Sequence, residues 1–190
     1  MFEHYAIMPI PAFDHNLVLP PHTGDPKDPS DLSPYQCTTV DLVQRFASTD
    51  ERREILKKFL EFRQELQSHG LEVGYQWLDG SFLENIETRE SRPPRDLDLL
   101  TIFWSYSISF LNQFVTKFPA FMKPEISKRD FKLDHFPIMA DESPQATVEN
   151  TRYWIQLFTH RRDGIWKGML RVELNTPTED QAAMDYLNSI

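Results

Sequence analysis

The hydrophobic and polar positions along the chain alternate between a helical spacing and a strand spacing. Near the middle of the first half, apolar residues recur three and four positions apart, which predicts an amphipathic helix. Its stripe consists of Ile55, Phe59, Phe62 and Leu66. Residues 97–103 instead form a short apolar run that carries one charge, which is typical of a buried strand.

The same reasoning predicts the remaining helices and strands. Strands are expected at 73–78, 97–103, 132–138 and 167–174. Helices are expected at 40–46, 107–117 and 147–158, with a final one opening at Thr176-Pro177. The long helix is expected to start at a capping-box pattern, Ser48 to Glu51, and to end at Gly70. This mixture predicts an α/β or α+β fold with a small mixed β-sheet flanked by helices.

Residues 8–36 have little periodicity and contain half of the chain's 14 prolines. We therefore divide the chain into a Pro-rich N-terminal arm, residues 1–37, and one domain, residues 38–190. The arm either wraps around the domain or forms a flexible lead-in.

The composition indicates a globular protein in a reducing compartment. The chain has 190 residues, of which 40% are hydrophobic, enough for a sizeable core. Its single cysteine, Cys37, cannot form an internal disulfide, and the start shows no signal-peptide pattern, so a cytoplasmic location is expected. Residues 97–115 are nearly long enough to span a bilayer but contain many polar residues, so no membrane insertion is expected.

The net charge of −9 argues against broad electrostatic binding of nucleic acid, which needs clustered Lys and Arg. It leaves open the binding of nucleotides, whose charge is usually met by Mg²⁺. Two local basic clusters, around Lys128-Arg129 and around Arg161-Arg162, are either solvated surface or substrate contacts.

Two aspartates, Asp96 and Asp98, lie one residue apart at the start of the predicted strand at 97–103. Residues two apart in a strand point to the same face, so the two carboxylates project together while Leu97 and Leu99 face the other way. Like charges this close repel each other unless a cation lies between them. Mg²⁺ or Mn²⁺ is the expected cation, and a pair of ions about 3.5–4 Å apart would suit phosphoryl transfer.

A Gly-Ser pair, Gly80 and Ser81, follows the predicted strand at 73–78. Glycine allows a ligand to approach the backbone closely, and N–H groups at such a turn form an anion site. The serine hydroxyl can add a hydrogen bond to a terminal phosphate. A triphosphate is therefore expected between Gly80-Ser81 and the two aspartates.

The sequence Gly80-Ser81, fourteen intervening residues and then Asp96-Leu97-Asp98 resembles the signature of the DNA polymerase β-like nucleotidyltransferase superfamily. That signature begins with an apolar residue, then Gly, then Gly or Ser. After a spacer it continues with two acidic residues, with one apolar residue between them and another after them. The wider stretch 17–174 looks like a family of small stand-alone bacterial nucleotidyltransferase-like proteins. It includes WLDGSFLENIE, RPPRDLDLLTIF and RRDGIWKGMLRVEL.

The resemblance implies a minimal nucleotidyltransferase fold and a third carboxylate on a following strand. Asp134 is the candidate, with Asp130 and Asp141 as rivals. Asp96, Asp98 and Asp134 would bind the metal, and Gly80 and Ser81 would hold the β- and γ-phosphates of a nucleoside triphosphate (NTP). Arg161, Arg162 and Lys167 either contact the substrate or lie on the surface; Arg161 and Lys167 are kept as candidate nucleotide-binding residues.

Other residues have a structural interpretation. His135 is expected to be a structural or surface histidine, Cys37 a buried apolar residue, and Asp79 a turn residue. Glu84 and Glu87 are expected to be solvated, with the alternative that they line the cleft. The residues expected in the core are the aromatic side chains Trp77, Phe103, Trp104, Tyr153 and Trp154.

These features predict a metal-dependent nucleotidyltransferase that moves a nucleoside monophosphate (NMP) from an NTP to an acceptor. The acceptor is open among a protein, an RNA end and a small molecule. Analogy with minimal members of the superfamily suggests a toxin–antitoxin or phage-defence setting with a partner encoded nearby. The alternatives are a non-catalytic protein that binds a nucleotide or partner, and a metal-dependent phosphohydrolase.

Overall fold

Five strands form one mixed sheet in residues 10–190, the part of the chain described by a computed structural model. They are β1 (Tyr35–Gln36), β2 (Gly74–Asp79), β3 (Leu97–Phe103), β4 (Leu133–Met139) and β5 (Leu170–Glu173). The order across the sheet is β1-β5-β2-β3-β4. Strand β2 is antiparallel to both β3 and β5, whereas β1 is parallel to β5 and β4 is parallel to β3. The predicted α+β fold with a mixed sheet is confirmed.

Seven α-helices surround this sheet within the described residues. They are α1 (Thr39–Phe46), α2 (Asp50–Ser68), α3 (Ile86–Glu90), α4 (Ile108–Lys117), α5 (Pro124–Phe131), α6 (Pro144–Phe158) and α7 (Pro177–Ser189). One 3-10 turn, Pro29–Asp31, precedes α1, and two others, Ser81–Leu83 and Pro119–Phe121, lie between helices.

The predicted capping box at the start of the long helix is wrong. Helix α2 is capped by Thr49, whose side chain accepts a hydrogen bond from the backbone of Arg52. A reciprocal capping box instead opens α1, between Thr38 and Asp41. Gly70 follows the end of α2 with φ +81°, as the predicted helix end requires.

The sheet separates two hydrophobic clusters. The larger cluster packs helices α1, α2 and α7 against side chains such as Leu97 and Leu99 of β3. The smaller cluster packs Trp154 and Phe158 of α6 against Leu100 of β3. Because neighbouring residues of a strand face opposite sides, Asp98 lies on the same face as Leu100, which is the α6 face.

The described part of the Pro-rich arm packs against the domain. Val18 and Leu19 are fully buried, and the Tyr35 hydroxyl donates a hydrogen bond to the Pro20 carbonyl over 2.7 Å. Cys37 is buried, as predicted. Residues 1–9 of the predicted arm lie outside the described residues.

Four of the five aromatic residues assigned to the core are buried or partly buried, but Tyr153 is not. Its side chain is 53% exposed on α6, so this prediction is wrong for Tyr153. Helical spacing brings Trp154 and Phe158 to the sheet and leaves Tyr153 beside them, at the edge of the packed face. None of the helices in residues 10–190 is long and apolar enough to cross a membrane.

Candidate functional site

A cleft of about 1000 Å³ opens on the α6 face of the sheet, beyond the ends of β2 and β3. It brings together every residue that the sequence singles out as a candidate site residue. These are Gly80, Ser81, Asp96, Asp98, Asp134, Arg161 and Lys167. Arg162 and Lys128, from the two basic clusters, also line it.

The sheet register aligns three carboxylates across three strands. Asp79 at the end of β2 is the register partner of Asp98 on β3, and Asp98 is the register partner of Asp134 on β4. Register partners in adjacent strands project to the same face. Asp96 lies one residue before β3 and also lines the cleft. We call Asp79, Asp96, Asp98 and Asp134 the carboxylate row.

Because Gly80 has no side chain, the Gly-Ser turn can lie in contact with the carboxylate row. Its φ is +87°, and a Cβ built there would lie 2.8 Å from both Cγ and Oδ2 of Asp98. Any larger residue would displace the Asp98 carboxylate. Ser81 then opens the 3-10 turn Ser81–Leu83, in which the Leu83 N–H donates to the Gly80 carbonyl over 3.2 Å.

Lys128, on α5, provides a cation at one end of the row. Its Nζ lies 2.8 Å from Oδ2 of Asp96 and 3.6 Å from Oδ2 of Asp134. The hydrogen bond to Asp96 raises the pKa of Lys128. Burial, together with repulsion from Asp96 and Asp134, raises the pKa of Asp98 to about 6. An added cation would therefore favour the ionised form of Asp98.

Lys167 provides a cation at the other end and is 4% exposed. Its Nζ lies 3.0 Å from Oδ1 of Asp79 and 3.2 Å from Oε1 of Glu84. Burial opposes the charge of Lys167, but Asp79 and Glu84 raise its pKa. Burial raises the pKa of Asp79 to about 7 despite the neighbouring ammonium group. The Lys167 ammonium group is thus engaged by two carboxylates below the cleft surface.

The expectation that Glu84 and Glu87 are solvated is wrong. Glu84 is 3% exposed, and its Oε2 lies 2.9 Å from Nη2 of Arg89. Glu87 forms a two-point ion pair with buried Arg52 on α2, at 2.6 and 2.9 Å.

Arg52 also holds the backbone that follows the Gly-Ser turn. Its guanidinium group donates to the carbonyls of Phe82 and Glu84, at 2.6 and 2.7 Å. Arg52 is 3% exposed and does not line the cleft. The position of Ser81–Leu83 therefore depends on a buried arginine of a helix distant in sequence.

Arginines and aromatic side chains form the sides of the cleft. Arg161 pairs with Asp163 and donates to the Asn16 carbonyl over 3.2 Å, whereas Arg162 is exposed. Aromatic residues of β4 and α6, Phe136 and Trp154, lie 4.8 Å apart between ring centroids and also line the cleft.

The rivals of Asp134 lie away from the cleft. Asp130 pairs with Arg129 on the surface, and Asp141 accepts a hydrogen bond from the backbone of Ser105. Neither lines the cleft. His135 faces the opposite side, is 1% exposed and lies 2.8 Å from the Thr101 hydroxyl, so it has the structural role that the sequence predicts.

The carboxylate row suits a divalent cation in the type of its donors. Mg²⁺ usually takes one or two carboxylates together with substrate phosphates, and not a complete protein cage. Within residues 10–190, no group of three or more His, Cys, Asp or Glu side chains is arranged to hold a metal ion. Asp98 and Asp134 would hold the ion, and the like-charge repulsion on Asp98 favours it.

Comparison with known proteins assigns the chain to a family. The family model DUF6932, described as a family of unknown function, matches residues 11–173. The chain belongs to the DUF6932 family. No curated protein and no solved structure matches the chain. The matched residues 11–173 include the arm from residue 11 onward and the complete carboxylate row.

Sequence reasoning missed the role of Arg52 and the partners of Asp79, Glu84 and Lys128. Asp79 was assigned to a turn, but the position before Gly80, at the end of a strand, is a signal that places it beside Asp98. Glu84, Lys128 and Arg52 carry no comparable local signal, because their partners are distant along the chain.

Proposed function

We propose that this DUF6932 protein is a metal-dependent nucleotidyltransferase that moves an NMP from an NTP to an acceptor. The observation that carries the proposal is the register of the sheet, in which Asp98 lies beside Asp134 while its carboxylate rests on Gly80 of the Gly-Ser turn. This juxtaposition is what a triphosphate with its metal requires: anion donors on one side and carboxylates on the other.

Different residues of the cleft would bind different parts of the NTP and the acceptor. Backbone N–H groups at Gly80 and Ser81, and the Ser81 hydroxyl, would bind the β- and γ-phosphates. Arg161 and Arg162, at the side of the cleft, would contact phosphate oxygens of the NTP or of the acceptor. Lys167 would contribute through Asp79 and Glu84, because its ammonium group is already paired with them.

The reaction is a displacement at phosphorus. The acceptor hydroxyl forms a new bond to the α-phosphorus, the bond between that phosphorus and the bridging α–β oxygen breaks, and pyrophosphate leaves. The acceptor proton passes to Asp134, the more exposed of the two register-paired carboxylates on β3 and β4. Mg²⁺ or Mn²⁺, held by Asp98 with Asp96 or Asp134, would supply charge neutralisation of the phosphates. Positioning and electrostatics would account for most of the catalysis.

The acceptor and the biological setting are also proposals. The acceptor is a protein, an RNA end or a small molecule, and a partner encoded nearby in a toxin–antitoxin or phage-defence pair is proposed by analogy alone. A cytoplasmic location is proposed from the single buried cysteine.

Label transfer tests the function directly. The protein is incubated with Mg²⁺ or Mn²⁺, with each of the four NTPs labelled at the α-phosphate, and with host-cell lysate. We expect label on one class of acceptor and equimolar pyrophosphate. The Asp98→Ala variant is expected to lose transfer, and Asp130→Ala, at an aspartate outside the cleft, serves as the matched control.

Two other results would replace the proposal. Metal-dependent binding of an NTP with no label on any acceptor would favour the non-catalytic binding protein. Release of inorganic phosphate in place of pyrophosphate would favour a phosphohydrolase.

A further inference from the structure

Within residues 10–190, a lysine ammonium group lies at each end of the carboxylate row, and none pairs with Asp98 between them. Lys167 pairs with Asp79, and Lys128 spans Asp96 and Asp134. Within residues 10–190, no lysine, arginine or histidine nitrogen lies within ion-pair distance of Asp98.

The formal charges of the carboxylate row and its two lysines do not cancel. Four carboxylates face two ammonium groups, which leaves two negative charges, the charge of one divalent cation. Extending the count to Glu84 and its partner Arg89 adds one charge of each sign and does not change the remainder. A second divalent ion would give the carboxylate row and its two lysines an excess of positive charge before any phosphate binds.

The position of Lys128 also agrees with a single divalent cation. Its ammonium group bridges carboxylates from two segments, the residue before β3 and the second residue of β4. A bridging divalent ion in a two-metal site would contact the same kind of oxygen pair. The Lys128 side chain is 55% exposed and reaches this place from α5, so its contacts with the row do not depend on core packing.

We propose that Lys128 takes the place of a second divalent cation, so that the cleft of this protein binds a single ion at Asp98. The inference deepens the proposed function, on which it rests for the identity of the ion as Mg²⁺ or Mn²⁺. It departs from the two-ion site expected from the sequence motif.

Counting bound Mn²⁺ tests this inference without any enzymatic turnover. Equilibrium dialysis and the electron paramagnetic resonance signal of free Mn²⁺ are measured at pH 8, where the row is ionised. We expect one ion per native chain. For Lys128→Met we expect two ions per chain, or binding of the first ion that is about tenfold tighter, because one competing positive charge is gone.

The matched control is Arg129→Met, on the same helix. Its side chain is 69% exposed and pairs with Asp130 outside the cleft, so the variant loses one positive charge while the row keeps Lys128. We expect one Mn²⁺ with native affinity. Thermal unfolding of both variants checks that they are folded.

Three outcomes would overturn the inference: two ions of similar affinity on the native chain, no ion on the native chain, or a Lys128→Met variant that binds Mn²⁺ as the native chain does. The proposed function is judged separately. Label transfer with two bound ions would retain the function and remove this inference, whereas one bound ion with no transfer would do the reverse.

Discussion

The carboxylate of Asp98 on β3 lies against the α-carbon of Gly80, with no room for a methyl group between them. Gly80 directly follows β2, and Asp98 lies between its register partners Asp79 and Asp134 in the carboxylate row. The phosphate-binding turn and the proposed metal ligand are therefore in contact, and a change in one displaces the other.

Gly80→Ala should lower both stability and ligand binding. Its backbone conformation, φ +87° and ψ −175°, costs roughly 1–3 kcal/mol for an alanine, and the clash with Asp98 adds roughly 1–3 kcal/mol. Gly164→Ala is the matched control, because Gly164 has nearly the same φ, +88°, and nothing within 4 Å of the added Cβ. Urea unfolding should show the larger loss at Gly80, and equal losses at the two glycines would contradict the contact.

Asp98→Asn should stabilise the protein at pH 8 while abolishing Mn²⁺ binding. Burial and two neighbouring carboxylates raise the pKa of Asp98 from 3.8 to about 6 in the fold, so the native state loses stability between about pH 4 and pH 6, where the unfolded carboxyl is ionised and the folded one is still protonated. At about 1.4 kcal/mol per pKa unit, the gain at pH 8 is about 3 kcal/mol. Because both folded and unfolded carboxyls are protonated below about pH 4, the gain should disappear there.

Unfolding midpoints at pH 8, 6 and 4 check this pH dependence. Asp130→Asn is the control, since Asp130 is exposed and its ion pair with Arg129 lowers its pKa. That variant should show no gain at pH 8. A destabilised Asp98→Asn at pH 8 would mean that the carboxylate is held by favourable contacts and not strained by like charges.

Arg52→Met should destabilise the fold by about 3–5 kcal/mol, because it leaves Glu87 and two backbone carbonyls without their donor. Arg52→Lys should recover only part of the loss, since an ammonium group cannot reproduce the fork of donors. Arg53→Met, on the same helix, removes a surface ion pair with Asp50 and a 3.3 Å hydrogen bond to the Ala47 carbonyl, and should cost less than about 2 kcal/mol. Similar urea midpoints for the two methionine variants would contradict the proposed support of Ser81–Leu83.

Lys167→Met should destabilise the protein at pH 8 by about 3 kcal/mol, because Asp79 and Glu84 would remain buried without their ammonium partner. The loss should shrink at pH 5, where Asp79, with its pKa of about 7, is already protonated in the native protein and no longer needs the ammonium partner. Urea unfolding at the two pH values measures this difference. A variant of native stability whose only defect is weak NTP binding would assign Lys167 to the phosphates.

The local features of this protein are readable from its sequence. Strand β3 is predicted to its end residues because a proline-rich loop precedes an unbroken apolar run. The Gly-Ser turn and the paired aspartates are found for the same reason, since each depends on a few neighbouring residues. The two-residue strand β1 is not found, because it exists only through its pairing with β5.

Long-range partners explain what the sequence does not reveal. Charged residues such as Glu84 and Lys167 have the same local signature whether they are solvated or paired in the interior. Only the fold, by bringing β2 and the segment before β5 together, makes them one buried cluster. The row itself combines both cases, because Asp96 and Asp98 are neighbours in sequence while Asp79 and Asp134 join them through register.

The insertion of β5 between β1 and β2 has a consequence for the order in which the chain is assembled on the ribosome. β5 is the last strand to be synthesised, yet it occupies an inner position in the sheet. Until it emerges, β1 has no partner, one edge of β2 is bare, and Lys167 is not yet there to meet Asp79. Nascent chains that end before residue 170 therefore present open strand edges, which makes them targets for chaperones and proteases.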